Sequence, residues 1–231
     1  VPSHQKQLRR ETPWGEMSYI HYKHKIEFQQ KEYEIIDAYC QQKPIDWTAS
    51  VWDVNSLEFV LQFDVPFIKI PSAHFTNKKL IEAIAVKDQY YILSTGMTNW
   101  DMIDEIVNIL EQKKTRFALL HCNSTYPAPS DELNLSVIPE MKKRYGCIIG
   151  YSGHEYDLEP SILAMALGAE IIERHITLDH RMWGTDQSSS LEVHAMDLLK
   201  KRLRDINQML GKPEKIITAS EKIALTKLRG K

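Results

Sequence analysis

The chain has 231 residues, of which 43% are hydrophobic and 26% are charged, an ordinary composition for a folded protein with a sizeable core. The net charge of -2 gives no reason to expect a nucleic acid or an anionic membrane as a partner, and no apolar run approaches the roughly 20 residues that span a bilayer. The three cysteines, Cys40, Cys122 and Cys147, have no disulfide-framework spacing, so we expect reduced thiols in a cytoplasmic protein.

Short apolar runs alternate with amphipathic segments after a polar opening stretch, residues 1–25, that predicts a loop. The apolar runs predict six strands, at residues 46–51, 67–70, 90–93, 117–122, 147–151 and 170–173. The amphipathic segments predict helices at residues 27–42, 101–112 and about 198–210. One domain is therefore predicted over residues 1–212, followed by a tail over residues 213–231 with a weak helical pattern.

The order of these elements predicts an α/β fold with a parallel sheet, because the strands are short, apolar and not alternating. An open doubly wound sheet and a closed barrel both fit six β–α units. Polar residues follow nearly every strand at its carboxyl end, where a TIM (β/α)₈ barrel carries its active site. We therefore predict a TIM-type barrel that is incomplete at the N-terminus, since six of eight strands are recognisable.

Two histidines come directly after the last two predicted strands. Neighbouring strand ends can bring two neutral imidazoles, here His154 and His175, onto one divalent metal. Glu173 lies two residues before His175 and so points the same way in an extended strand, and Asp186 follows in a loop. The alternatives are hydrogen-bonded structural histidines and a turn-forming aspartate.

A lysine inside an apolar strand suggests an anion site. Lys69 is costly to bury unless it is paired, and an inward lysine close to Ser72 and Ser94 would bind a phosphate or a carboxylate. The alternative is an edge strand that exposes the lysine to solvent. Ser124 and Tyr126 offer hydroxyl groups at the end of the next strand.

Five motifs with these residues resemble, in order and spacing, the catalytic barrel of the sialic acid synthase (N-acetylneuraminate synthase) family. They are Lys69-Ile70-Pro71-Ser72, Leu93-Ser94-Thr95-Gly96-Met97, Leu120-His121-Cys122-Asn123-Ser124-Thr125-Tyr126-Pro127, Ile149-Gly150-Tyr151-Ser152-Gly153-His154 and Glu173-Arg174-His175-Ile176-Thr177. The resemblance implies that phosphoenolpyruvate condenses with the open-chain aldehyde of an N-acylated amino sugar and that phosphate is released. It also implies a homodimer.

The resemblance implies a role for each candidate site residue. His154 and His175 would hold a divalent metal, usually Mn²⁺, that polarises the aldehyde. The groups expected to bind phosphoenolpyruvate or the sugar are Lys69, Ser72, Ser94, Ser124, Ser152 and Ser50. The groups expected to take part in catalysis are Asp186, Tyr126 and Glu173.

Three family features are not recognisable in this sequence. Members usually begin with a strand that bears a catalytic glutamate and a second strand with a phosphate-binding lysine, and many carry a C-terminal antifreeze-like domain. His74 stands where a sugar-binding glutamate is common. Two alternatives stay open: a barrel that binds metal and anion without turnover, and a synthase for a different aldehyde sugar. N-acetylmannosamine and the precursors of legionaminic or pseudaminic acid all remain as acceptors.

Overall fold

A parallel sheet lies at the centre of the computed structural model, which describes residues 3–230. The strands of these residues are β1 (Arg9–Arg10), β2 (Met17–Ser18), β3 (Ile68–Ile70), β4 (Tyr90–Ser94), β5 (Arg116–Cys122), β6 (Ile148–Gly153), β7 (Ile171–Arg174), β8 (Ile176–Thr177) and β9 (Leu191–Glu192). Strands β3 to β7 pair side by side in chain order, and every pair is parallel. The α/β class with a barrel-type parallel sheet is confirmed.

Helices cover the sheet and connect its strands. They are α1 (Tyr19–Ile26), α2 (Gln30–Gln42), α3 (Val54–Val60), α4 (Lys78–Ile84), α5 (Trp100–Gln112), α6 (Val137–Arg144), α7 (Glu159–Ala166), α8 (Val193–Leu210) and α9 (Ala219–Arg229). Short 3-10 turns occur at Ser3–Gln5, Ser72–His74, Ser130–Glu132 and Gln187–Ser189. Within the described residues, no helix has the length and apolar character needed to cross a membrane.

The sheet is strongly curved. Strands β3 and β7 lie four strand spacings apart, which would be about 19 Å in a flat sheet. Even so, the Nζ atom of Lys69 on β3 lies 3.7 Å from Oε1 of Glu173 on β7. Side chains of the two outer strands can meet in this way only if the sheet curls like half of a barrel.

The two faces of the sheet are apolar, as the non-alternating strands predict. The larger core lies between the sheet and helices α3 to α7, and it includes Leu57, Leu80, Ile106 and Leu110. A smaller cluster of Ile92, Ala118 and Leu120 lines the concave face. The polar side chains of the site lie beyond this cluster, at the carboxyl ends of the strands.

The first predicted strand, residues 46–51, forms only a single parallel bridge between Ser50 and Lys69. The amide of Val51 donates to the carbonyl of Lys69 at 3.0 Å, so the segment does lie along β3. Earlier in the segment, the hydroxyl of Thr48 donates to the carbonyl of Phe67. If the strand pairing extended this far, a backbone amide would donate to that carbonyl instead. The prediction of six strands in the sheet is therefore wrong, and the sheet has five.

The predicted N-terminal loop is also partly wrong. Strands β1 and β2 form an antiparallel pair across a turn that contains Gly15 at φ 88°, and helix α1 follows at once. The helix predicted from residue 27 begins at residue 30, because Gln29 and Glu32 form a capping box there. Val1, Pro2 and Lys231, at the ends of the predicted loop and tail, lie outside the described residues.

Candidate active site

The two histidines meet at the carboxyl ends of β6 and β7. Their ring centroids are 5.3 Å apart, and the ring of Tyr126 packs against both, at 4.2 Å from His154 and 5.5 Å from His175. Gly153 and Arg174 are the last paired residues of the two strands, so each histidine directly follows a fixed point of the sheet. The register of the sheet therefore brings the imidazoles together.

The tautomer of His154 follows from its hydrogen bonds. Its Nδ1 atom lies 2.6 Å from the carbonyl oxygen of Asn123, which can only accept, so Nδ1 carries the proton. Its Nε2 atom then accepts from the hydroxyl of Tyr126 at 3.0 Å. Burial lowers the pKa of His154, and burial followed by the nearby His154 lowers the pKa of His175. Both rings are therefore neutral near pH 7, which is the form that binds metals.

Lys69 is the buried cation of the site. Only 6% of its surface is exposed, and its Nζ atom donates to Oγ of Ser94 at 2.7 Å. Burial lowers its pKa, while the nearby carboxylate of Glu173 opposes that shift. Glu173 in turn accepts from the hydroxyl of Ser152 at 2.7 Å. The inward orientation predicted for Lys69 is what the structure shows, and the alternative of a solvent-facing edge lysine is excluded.

A cluster of small polar groups surrounds the sulfur of Cys122, next to His154. The Sγ atom of Cys122 lies 3.5 Å from Oγ of Ser72, 3.7 Å from Oγ of Ser124 and 3.7 Å from Nδ1 of His154. The amide of Gly96 donates to the same Ser72 hydroxyl at 3.0 Å. The Cβ atom of any other residue at position 96 would lie 2.8 Å from Ser72 Oγ and closer still to Ser124 Oγ, so only glycine leaves space here.

Two predicted residues lie at the margin of the site. Asp186 is on the loop between β8 and β9, with its Oδ2 atom 3.9 Å from Nδ1 of His175. The hydroxyl of Thr185 donates to the other carboxylate oxygen at 2.7 Å. Ser50 is exposed and reaches the site only through its backbone bridge to Lys69. The structure therefore brings together all the predicted site residues, Ser50 by its backbone alone.

A cavity of about 990 Å³ opens from this cluster toward the N-termini of α5 and α6. Cys122 and Ser124 line its inner end, and Trp100, Glu132 and Glu140 line its outer part. A space of this size is typical of small-molecule sites. Lys69 and the two histidines are not part of its lining, so the cavity adjoins the site at Cys122 and Ser124 alone.

Two contributors to the site are not among the predicted residues. Cys122 is predicted to be a core thiol, and it is indeed buried, yet its sulfur lies inside the site. The alternation of β5 contains the signal, because Leu120 faces the concave side and Cys122, two residues on, must do the same. Asn123 contributes its backbone carbonyl to His154, and a backbone role leaves no signal in the sequence.

The donor set fits a divalent cation only in part. His154 has the tautomer that leaves Nε2 as the acceptor, and a backbone carbonyl fixes its ring, as is usual for metal-binding histidines. Among residues 3–230, however, no group of three or more His, Cys, Asp or Glu side chains is arranged to hold a metal. The chain thus offers two imidazoles, and the other positions of a shell would belong to water or substrate.

Comparison with known proteins decides the family. The sequence model of the NeuB family matches residues 2–215. This chain belongs to the NeuB family. The resemblance to the sialic acid synthase family is thereby confirmed.

Three NeuB relatives show the extent of the similarity. The N-acetylneuraminate-9-phosphate synthase of Homo sapiens is 36% identical over 216 residues, which are 93% of this chain and 60% of that protein. The N,N'-diacetyllegionaminic acid synthase of Campylobacter jejuni is 34% identical over 200 residues, which are 85% of this chain and 60% of that protein. The N-acetylneuraminic acid synthetase of Leptospira borgpetersenii, solved with citrate, superposes with a TM-score of 0.81 at 36% identity, covering 89% of this chain and 73% of that one. The chain therefore spans about 60% of the length of the two curated relatives.

Proposed function

We propose that this chain carries the condensing site of a synthase that joins phosphoenolpyruvate to an N-acylated amino sugar, giving a sialic-acid-type nonulosonate and phosphate. The observation that carries the proposal is the position of Lys69. A buried cation with a hydroxyl partner lies in the same half-barrel as a pair of neutral histidines, and its contact with Glu173, two residues before His175, connects the two. An anion site beside an electrophile site is what this condensation requires.

The lysine side would bind phosphoenolpyruvate. Lys69 and Ser94 present a charged donor and a hydroxyl, and Ser72, Ser124 and Ser152 add further hydroxyls at the same strand ends. Charge-assisted hydrogen bonds of this kind are the strong ones for phosphate and carboxylate. The anion would compete with Glu173 for Lys69, since the carboxylate lies 3.7 Å from Nζ in the free protein.

The histidine side would hold a divalent metal, for which Mn²⁺ is our choice, between His154 and His175. When bound, the metal would supply Lewis-acid polarisation of the sugar aldehyde. Tyr126 would keep both rings in position through its ring packing, and the metal would replace its hydroxyl at Nε2 of His154. Asp186, exposed beside His175, would accept a hydrogen bond from a sugar hydroxyl or orient water.

The reaction balances without a redox partner. The C3 carbon of phosphoenolpyruvate would form a bond to the aldehyde carbon, the aldehyde oxygen would become a hydroxyl, and water would add at C2. The bond from C2 to the phosphate oxygen would then break, and inorganic phosphate would leave. Glu173 lies between the two halves of the site and could accept a proton from the water, because its contacts to Lys69 and Ser152 hold it there.

The names of the relatives bear on the acceptor. The human relative is named for a 9-phosphorylated N-acetylneuraminate and the Campylobacter relative for diacetyllegionaminic acid. Both products are nonulosonates that carry an N-acyl group. We therefore propose an N-acylated amino sugar of the N-acetylmannosamine type as the acceptor, in a cytoplasmic homodimer.

Phosphate release from phosphoenolpyruvate tests the proposal. The chain would be incubated with Mn²⁺ and either no sugar or one member of a panel of N-acetylated hexoses, and mass spectrometry would follow the product. We expect release only when metal and the matching sugar are both present, with a product whose mass is the sum of the two substrates and water less phosphoric acid. Binding of Mn²⁺ and phosphoenolpyruvate without release would instead favour a barrel that binds without turnover.

A further inference from the structure

A charged network lies behind the two histidines, on the side away from the pocket. Nη1 of Arg174 lies 2.7 Å from Oε1 of Glu155, and the two side chains are only 1% and 3% exposed. The hydroxyl of Tyr151 donates to the other carboxylate oxygen at 2.7 Å, and Arg174 also donates to Oγ of Ser161 at 3.0 Å. These partners hold the ion pair in one geometry, although the buried Nε atom of Arg174 has none among the described residues.

The network joins the two chain segments that carry the histidines. Glu155 directly follows His154, and Arg174 directly precedes His175. The guanidinium also donates through Nη2 to the backbone carbonyl of Glu155, so it holds the main chain as well as the side chain. The ladder between β6 and β7 ends at Gly153 and Arg174, one residue before each ring. Beyond these two residues, the contacts between Arg174 and Glu155 link the two segments in place of backbone hydrogen bonds.

The local sequence is adapted to this contact. A Cβ atom at Gly153 would lie 2.7 Å and 2.9 Å from the two carboxylate oxygens of Glu155, so glycine makes room for the charge. The carbonyl of Asp157 accepts a further hydrogen bond from Arg174 at 2.9 Å. Burying two charges is unfavourable before pairing is counted, and an apolar pair of similar size is often as stable. Stability alone is therefore a poor reason for this arrangement.

We propose that the ion pair between Glu155 and Arg174 sets the separation and orientation of His154 and His175, so that both charged residues are positioning residues of the metal site. They touch neither metal nor substrate and act through the backbone next to each ring. The inference rests on the metal site of the proposed function. Loss of the pair would let the two strand ends move apart, and the imidazoles would no longer reach one cation together.

Two pairs of matched variants test the inference. Arg174→Lys keeps the charge and loses the forked contact, and Tyr151→Phe removes one hydrogen bond to Glu155 while keeping the ring. The controls make the same chemical changes in the Asp104 cluster on helices α5 and α6, where Arg144 and Tyr145 both contact that aspartate. Mn²⁺ affinity of the substrate-free chain would be measured by electron paramagnetic resonance, and the unfolding temperature of each metal-free variant by calorimetry.

We expect Arg174→Lys and Tyr151→Phe to weaken Mn²⁺ binding about 10-fold, in the range usual for residues that orient metal ligands. Arg144→Lys and Tyr145→Phe should leave the affinity unchanged, even where they lower the unfolding temperature. The visible spectrum of bound Co²⁺, which reports ligand geometry, should change in the first pair only. Tyr151→Phe, as the milder change, decides the matter if Arg174→Lys does not fold.

Two results would overturn the inference, and they are distinguishable. If the wild type binds Mn²⁺ and the folded Arg174→Lys and Tyr151→Phe variants bind it equally well with the same Co²⁺ spectrum, the ion pair has a purely structural role and the metal site stands. If the wild-type chain itself binds no Mn²⁺, the metal part of the proposed function fails and the inference fails with it.

Discussion

The role of Lys69 in anion binding can be tested with a single substitution. Its burial is unfavourable for folding, while its contact with Ser94 prepares it for an anion. We expect Lys69→Met to weaken phosphoenolpyruvate binding by about 2 kcal/mol, or about 30-fold in Kd, the usual contribution of a hydrogen bond to a charged group. Isothermal titration calorimetry with phosphoenolpyruvate measures this directly.

The same substitution should leave the fold intact. Methionine has nearly the length of lysine and no charge to desolvate, so the unfolding temperature should stay the same or rise. Lys78→Met, which removes the exposed ion pair with Glu105, is the control and should not change the Kd. An unchanged phosphoenolpyruvate affinity in Lys69→Met would remove the lysine from the anion site.

His154 offers a second prediction at this scale. We expect His154→Ala to lower Mn²⁺-dependent phosphate release at least about 100-fold, because one of two protein imidazoles is lost and Tyr126 loses its hydrogen-bond acceptor. The barrel should still fold, as judged by circular dichroism. His194→Ala, at an exposed position on α8, is the control. Normal turnover with normal metal dependence in His154→Ala would contradict the metal assignment.

Most of the site residues could be predicted one by one from the sequence. The position of each residue relative to its strand end, and the alternation of side chains along the strand, determine which side chains lie close together. Lys69, Ser94, Glu173 and the two histidines are found in this way, and they do lie together. The contribution of Asn123 could not be predicted, since it is a backbone carbonyl. The pairing of Glu155 with Arg174 could not be predicted either, because it depends on how two separate strand ends turn.

Helix α5 allows a test of how an apolar stripe stabilises a helix against the core. Its apolar stripe of Ile103, Ile106, Val107 and Leu110 is buried, and the side chain of Asn99 caps its N-terminus by accepting from the Met102 amide. We expect Leu110→Ala to lower the free energy of unfolding by about 2–5 kcal/mol, because it leaves a cavity in the core. Met102→Ala, on the exposed face of the same helix, should change it by less than about 0.5 kcal/mol. Urea denaturation measures both, and equal losses would mean that the helix faces the core differently.

Elements with a strong local pattern are the ones that the sequence predicts well. The apolar stripe of α5 is long enough to predict a helix without ambiguity. Residues 46–51 have the pattern of a strand but form only one bridge, because the hydroxyl of Thr48 makes the hydrogen bond that a backbone amide would make in a strand. Helix α1 carries lysine or histidine at half of its eight positions, so the sequence there predicts a loop. Its one buried side chain, Tyr22, packs on a distant loop, and a tertiary contact of this kind leaves no local periodicity.

At the scale of the whole molecule, the N-terminal segment supports the loop that carries Asp186. The ring of Tyr22 meets that of Trp183 edge to face, with centroids 5.1 Å apart, and Trp183 is three residues before Asp186. We expect Tyr22→Ala to raise the KM for the sugar about fivefold, since such aromatic pairs contribute about 1 kcal/mol. The KM for phosphoenolpyruvate should not change, because its site lies on other strands.

Steady-state kinetics with each substrate varied in turn would measure this effect. Trp14→Ala, which alters an exposed aromatic residue of the same N-terminal segment, is the control and should affect neither KM. A rise in both KM values for Tyr22→Ala would show that the aromatic contact supports the barrel as a whole.

The curvature that joins β3 to β7 through Lys69 and Glu173 is a property of the complete sheet, and for that reason single strands do not predict it.

Gly96 is enclosed so tightly that even the smallest substitution there has a consequence. Its amide faces Ser72, and a single methyl group on its α-carbon would press into the hydroxyls of Ser72 and Ser124. Gly96→Ala would therefore displace both hydroxyls while every polar side chain stays in the sequence. Glycine at this position is thus as necessary to the arrangement of these strand ends as the polar side chains themselves.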